Sequence, residues 1–138
     1  MSTLRNLYGT SLSLLTDLYQ LTMAYGYWKL GMDQRRAVFT LAYRKQPFGS
    51  GFAIACGLHA AIDYIEQFRF DQSDVEYLAT LRGNDGAALF ERGFLEYLRK
   101  LELKLDIDAI PEGTAVFPYE PLVRVTGPLL QAQLLDQD

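Results

Sequence analysis

The stretch LLTDLYQLTMAYGYWKLG, residues 14–31, constrains this chain more than any other. It has the length and spacing of a helix. Leu18, Leu21, Tyr25 and Trp28 follow a 3–4 spacing and form one apolar stripe. Tyr19, Met23, Tyr27 and Leu30 follow the same spacing on a second face. A helix with two apolar faces needs two surfaces to bury against, so the fold must supply a second partner for it. Thr16 is a good N-cap, and Asp17 in the first turn suits the positive end of the helix dipole. Gly31 is placed to stop the helix.

The rest of the chain reads in order. Residues 1–13 are polar and irregular and form an arm, and residues 14–138 form one domain. After the first helix, Val38, Thr40 and Ala42 alternate with Phe39, Leu41 and Tyr43 as a strand that Pro47 stops. FGSG is a turn, FAIAC a short strand, and GLHAAIDYIEQF a second helix. Ser73 is expected to cap a third helix running to about Leu81. RGNDG is a loop, and AALFERGFLEYLRK, residues 87–100, reads as a fourth helix with Leu89, Phe94, Leu95 and Leu98 inward. LELKLDIDAI then alternates strictly, and PEGTAVFPYEPLVRVTGP reads as short strands punctuated by Gly and Pro. LLQAQLLDQD opens a last helix whose stripe, Leu129, Leu130, Leu134 and Leu135, has little chain left to continue it. Strands and helices are segregated rather than alternating, so the expected class is α+β. A leucine-rich helix that stops as it starts is expected to leave an apolar patch open, and to mark the front part of a larger protein.

Composition excludes some functions. The net charge of −4 argues against a nucleic-acid binder, which would usually be basic. The longest run without formal charge, residues 46–62, is broken by Pro47, Gly49, Gly51 and Gly57, so no membrane span is expected. The first residues lack the apolar core of a signal peptide, and one cysteine permits no internal disulfide. A reducing, cytoplasmic setting is therefore expected, with Cys56 a small buried residue.

Two constellations are candidates for chemistry. Asp17 and Tyr19 at a helix start fit capping and packing; they also fit a ring offered for stacking on a flat ligand. Arg44 and Lys45 at a strand end precede Pro47 and the turn Gly49-Ser50-Gly51. A solvated strand end explains them, and so does an anion site, since Arg offers a fork, Lys a point charge and a glycine turn its N–H groups. The turn is neither a Walker motif nor G-x-G-x-x-G. His59 has no companion ligands and reads as a surface or packing residue. Glu91, Glu96 and Glu102 read as solvated faces. A lipoyl- or biotin-carrier role for the late strands is disfavoured, because no lysine lies between Pro111 and Pro128.

Together these segments resemble a known family. LLTDLYQLTMAYGYWKLG is similar to the N-terminal signature of the nicotinate phosphoribosyltransferases. AVFTLAYRKQPFGSGFAIACGL and PEGTAVFPYEPLVRVTGPLLQAQLL resemble the family's following segments, in the same order. Nicotinamide phosphoribosyltransferase is a more distant likeness. The resemblance implies the front domain of a type II phosphoribosyltransferase, N-terminal helices with a small mixed or antiparallel sheet, without its α/β barrel. Residues 128–138 would begin that barrel segment. It implies formation of nicotinate mononucleotide from nicotinate and phosphoribosyl pyrophosphate, driven by ATP with Mg2+ in the complete enzyme. It implies a homodimer with active sites at the subunit interface. There Tyr19 would stack on the pyridine ring with Asp17 beside it, and Arg44, with Lys45, would face phosphates. No catalytic residue is expected in this chain, and the chain alone is expected to be inactive and to self-associate. A subunit of a split enzyme and a non-catalytic binding module remain alternatives.

Overall fold

A computed structural model describes residues 8–135. The expected α+β order holds among them: α1 (Leu18–Lys29), β1 (Arg36–Leu41), β2 (Ala53–Ile54), α2 (Leu58–Glu66), α3 (Gln72–Thr80), α4 (Arg92–Arg99), β3 (Asp106–Ala109), β4 (Ala115–Val116), β5 (Val123–Pro128) and α5 (Leu129–Leu134). Sheet pairing ignores sequence order. β5 lies between β1 and β3, antiparallel to both, and β2 pairs antiparallel with β4. In the larger sheet Arg36 faces Pro128, Leu41 faces Val123, and Asp106 faces Thr126. The outer face carries ion pairs beside the exposed Val38: Arg124 bonds Asp108 at 2.8 Å, and Arg36 lies 3.7 Å from Asp106.

α1 starts one residue later than Thr16 predicts. Asp17 is the N-cap, in extended conformation, with no side-chain capping bond. The stop at Gly31 is as expected: at φ 64° it takes the left-handed turn that favours glycine. Its N–H reaches the Trp28 carbonyl at 3.1 Å, and the Met32 N–H reaches Tyr27 at 2.8 Å, which satisfies the helix's last carbonyls.

The core sits between α1, α3, α4 and α5. Leu21, Ala24, Leu78, Phe94, Leu98, Leu130 and Leu134 are buried together. Tyr25 and Trp28 join it through Phe94, with ring centroids 5.1 and 5.7 Å away. So the Leu21–Tyr25–Trp28 stripe of α1 is covered, although Leu18 stays exposed. The second stripe is mostly uncovered: Tyr19, Met23 and Leu30 are 45%, 42% and 72% exposed, while Tyr27 is half-buried.

Five further expectations change. α3 is capped by Asp71, not Ser73. The Asp71 carboxylate accepts from the third helical N–H and Asp74 Oδ2 accepts from the Asp71 N–H at 2.8 Å, so two carboxylates satisfy two N–H groups where a lone serine cap would satisfy one. The fourth helix begins at Arg92, because residues 82–89 fold back on themselves: Gly83 N–H bonds Ala87 at 2.9 Å and Leu89 N–H bonds Leu81 at 3.0 Å. The alternation from Leu101 to Ile107 survives in burial, but a ladder forms only from Asp106 onward. The leucine-rich α5 leaves no open stripe; Leu130 and Leu134 are 0% and 2% exposed because α5 folds back on α1. Cys56, expected inside, is exposed in the loop before α2. Of the N-terminal arm, Ser13 is buried, and its hydroxyl reaches Asp74 Oδ2 at 3.1 Å; residues 1–7 lie outside the described residues. No helix among the described residues is long and apolar enough to cross a membrane.

Candidate functional site

The first candidate pair is set by the start of α1. The Asp17 carbonyl accepts the Gln20 N–H at 3.0 Å and so opens the helix, while its carboxylate stands exposed. Tyr19 follows in the first turn. Its hydroxyl accepts from Gln20 Nε2 at 3.1 Å, and Gln20 is itself buried. The ring is thus tethered at its far end to a fixed side chain while nearly half of the residue faces solvent. An aromatic surface presented in this way is suited to stacking a planar ligand.

The second pair belongs to the segment leaving β1. Arg44 and Lys45 are both exposed, three and four residues beyond the end of the strand at Leu41. The flanking residues are tied down. The Tyr43 carbonyl accepts the Tyr119 N–H at 2.9 Å. The Tyr43 hydroxyl donates to the Val116 carbonyl at 2.8 Å and lies 3.0 Å from Gln46 Oε1. Gln46 Nε2 donates to Ser50 Oγ at 3.0 Å, and Ser50 Oγ donates to the Phe52 carbonyl at 3.0 Å. Beyond them Pro47–Gly49 make a tight turn in which Phe48 takes φ 57° and is fully exposed. Tyr119 takes φ 67° in the opposing turn and is also exposed. Non-glycine residues in this region are strained and concentrate at functional sites. Phe52 and Phe117 add to an exposed aromatic rim.

The four expected residues therefore occupy two separate segments, a helix start and a strand exit, and all four reach solvent. One residue escaped sequence reasoning. Glu112 Oε1 accepts the Gly57 N–H at 2.9 Å and the His59 N–H at 3.2 Å, closing the N-terminus of α2. Those N–H groups of His59 and Gly57 hold its carboxyl below the usual glutamate range. A glutamate more than fifty residues from the helix it caps leaves no local signal. His59 is exposed there. Among the described residues no group of three or more His, Cys, Asp and Glu side chains is placed to hold a metal. The donors of Arg44 and Lys45 suit an anion. A separate cleft, lined by Ser11, Ser13, Tyr64, Phe68 and Arg69, contains none of the four; burial pushes the Tyr64 hydroxyl up.

Residues 14–137 match the family described as the nicotinate phosphoribosyltransferase (NAPRTase) N-terminal domain. Similar relatives include nicotinate phosphoribosyltransferases of Bos taurus and Homo sapiens, each 44% identical over 89% of this chain. That of Bacillus subtilis (strain 168) is 43% identical over 91%. The crystal structure of human nicotinic acid phosphoribosyltransferase superposes with a TM-score of 0.76 at 43% identity, over 87% of this chain and 23% of that one. Fold and comparisons agree on the class, a helical N-terminal domain with small antiparallel sheets. The chain belongs to the nicotinate phosphoribosyltransferase N-terminal domain family. It spans 22% of the bovine relative's length and 24% of the Bacillus relative's.

Proposed function

We propose that this chain is the N-terminal part of an enzyme of NAD biosynthesis. That enzyme joins nicotinate to the ribose of phosphoribosyl pyrophosphate, with ATP hydrolysis, and releases pyrophosphate. The reaction builds positive charge on the sugar and negative charge on the leaving group, so it needs cations aimed at the latter. Tyr19 stacks on the pyridine ring, Asp17 lies beside it, and Arg44 with Lys45 faces the phosphates. These groups serve a site completed by the barrel of a second subunit in a cytoplasmic homodimer. The observation that carries the reading is the uncovered stripe of α1, with Tyr19, Met23 and Leu30 exposed on a helix whose other stripe is packed. Family membership supplies what such a stripe would meet.

The covered α5 removes an objection to a second reading. Leu130 and Leu134 are buried within this chain, so the leucine-rich end no longer favours a fragment or a subunit of a split enzyme over a non-catalytic module. One assay separates the readings. The purified chain is incubated with nicotinate, phosphoribosyl pyrophosphate, ATP and Mg2+, alone and with the barrel portion of a related enzyme. No nicotinate mononucleotide from the chain alone, and product from the mixture, is the expected pattern. Product from the chain alone would refute inactivity; none from a demonstrated complex would favour the module.

A further inference from the structure

We infer that Tyr43 is a positioning residue for Arg44 and Lys45, fixing the spacing of the two cations for a diphosphate-containing ligand. The inference rests on reading Arg44 and Lys45 as an anion-binding pair. Its observation is the tethering on both sides of the pair. Before it, Tyr43 is held at two points, its carbonyl by the Tyr119 N–H and its hydroxyl by the Val116 carbonyl. After it, Gln46 is held by Ser50 and lies against the same Tyr43 hydroxyl. The hydroxyl is thus the point where the two ends of the segment meet. The tether also reaches the second sheet, since Val116 faces Ala53 across the β2–β4 pair. An exposed arginine and lysine on a slack loop would take many arrangements, and a ligand would lose affinity in ordering them. Bracketed by fixed neighbours, their backbone is held on both sides, so fewer arrangements of the two charges remain to be ordered. Two phosphoryl groups joined by one oxygen engage both cations at once and profit from that restriction; a single phosphate engages either cation and does not. Tyr43 touches no ligand in this scheme and acts through the backbone it holds.

The test uses the 138-residue chain and two probes, inorganic pyrophosphate and orthophosphate. Dissociation constants for both are measured by calorimetry, with the thermal midpoint as a folding control. The unmodified chain is expected to prefer pyrophosphate. Tyr43→Phe removes one hydrogen bond and is expected to reduce that preference about two- to tenfold. Its orthophosphate affinity stays as it was. Gln46→Ala loosens the same junction without altering Tyr43 and is expected to reduce the preference in the same direction, which keeps the test open if Tyr43→Phe folds poorly. A purely structural role would weaken both anions together. Equal weakening of both, or an unchanged preference in both variants while Arg44→Ala still abolishes binding, would overturn the positioning role and leave the anion pair standing. Absence of saturable binding by the unmodified chain, or equal binding by Arg44→Ala, would remove the anion pair, and the positioning role with it.

Discussion

Gly127 in the central strand shows how tightly single residues are constrained. A Cβ there would lie 2.5 Å from Leu105 Cδ2 and 3.0 Å from the Lys104 carbonyl, so Gly127→Ala must push the neighbouring segment away. The expected cost is about 1–3 kcal/mol, read as a lower denaturation midpoint. Gly93→Ala makes the useful comparison, because there the neighbour is a side chain, the Trp28 ring at 3.2 Å, and no backbone atom. At this scale the sequence was partly legible. Tyr19 and Arg44 stand out by residue type beside a helix start and a strand end. Tyr43 does not, since a tyrosine within an alternating strand looks like packing; its partner Val116 lies far along the chain. Glu112 is hidden for the same reason. Its charged form is favoured by the N–H groups of His59 and Gly57, so its folded pKa is below its unfolded one. The stabilisation is therefore present above the ordinary glutamate range and lost as pH falls through the lowered folded value. The protection of the Gly57 and His59 amides against exchange, relative to their intrinsic rates, is expected to fall on that acid limb, and Glu112→Gln is expected to abolish that fall in protection.

Elements were more legible than their ends. The two-striped first helix, the stop at Gly31 and the alternating β1 follow from local patterns, and local patterns hold where a short segment satisfies its own backbone. The failures are at boundaries decided by contacts from elsewhere. The fourth helix loses its first residues because Leu89 pairs with Leu81, a backbone bond that apolar spacing does not reveal. The third helix is capped at Asp71 because Asp74 returns a bond to its backbone, and Ser73 between them is not needed. Removing the cap by Asp71→Ala is expected to cost about 1 kcal/mol. Ser73→Ala is expected to cost less, and urea unfolding of the two variants compares them directly.

For the whole molecule, the decisive feature is that β1 pairs with β5 and α1 packs against α5. The early elements α1 and β1 thus pack against the late elements α5 and β5. Segregation of helices from strands gave the α+β class, but pairing across such distances cannot be read from periodicity. It also explains why the leucines of α5, expected to lie open, are buried. Leu130→Ala is expected to destabilise the fold by about 2–5 kcal/mol, because it opens a cavity at a fully buried position. A change within a few tenths of a kcal/mol would mean that α5 does not close the core. The second face of α1 leaves Tyr19, Met23 and Leu30 exposed; under the proposed function that face meets another subunit and carries part of an active site. The most direct measurement is steady-state kinetics of the chain mixed with a barrel portion, comparing Tyr19→Ala and Arg44→Ala. Tyr19→Ala is expected to raise the KM for nicotinate roughly tenfold and leave that for phosphoribosyl pyrophosphate nearly unchanged. Arg44→Ala is expected to do the reverse, by roughly ten- to a hundredfold. Kinetics indistinguishable from the unmodified mixture in both variants would contradict a contribution from this chain to the site.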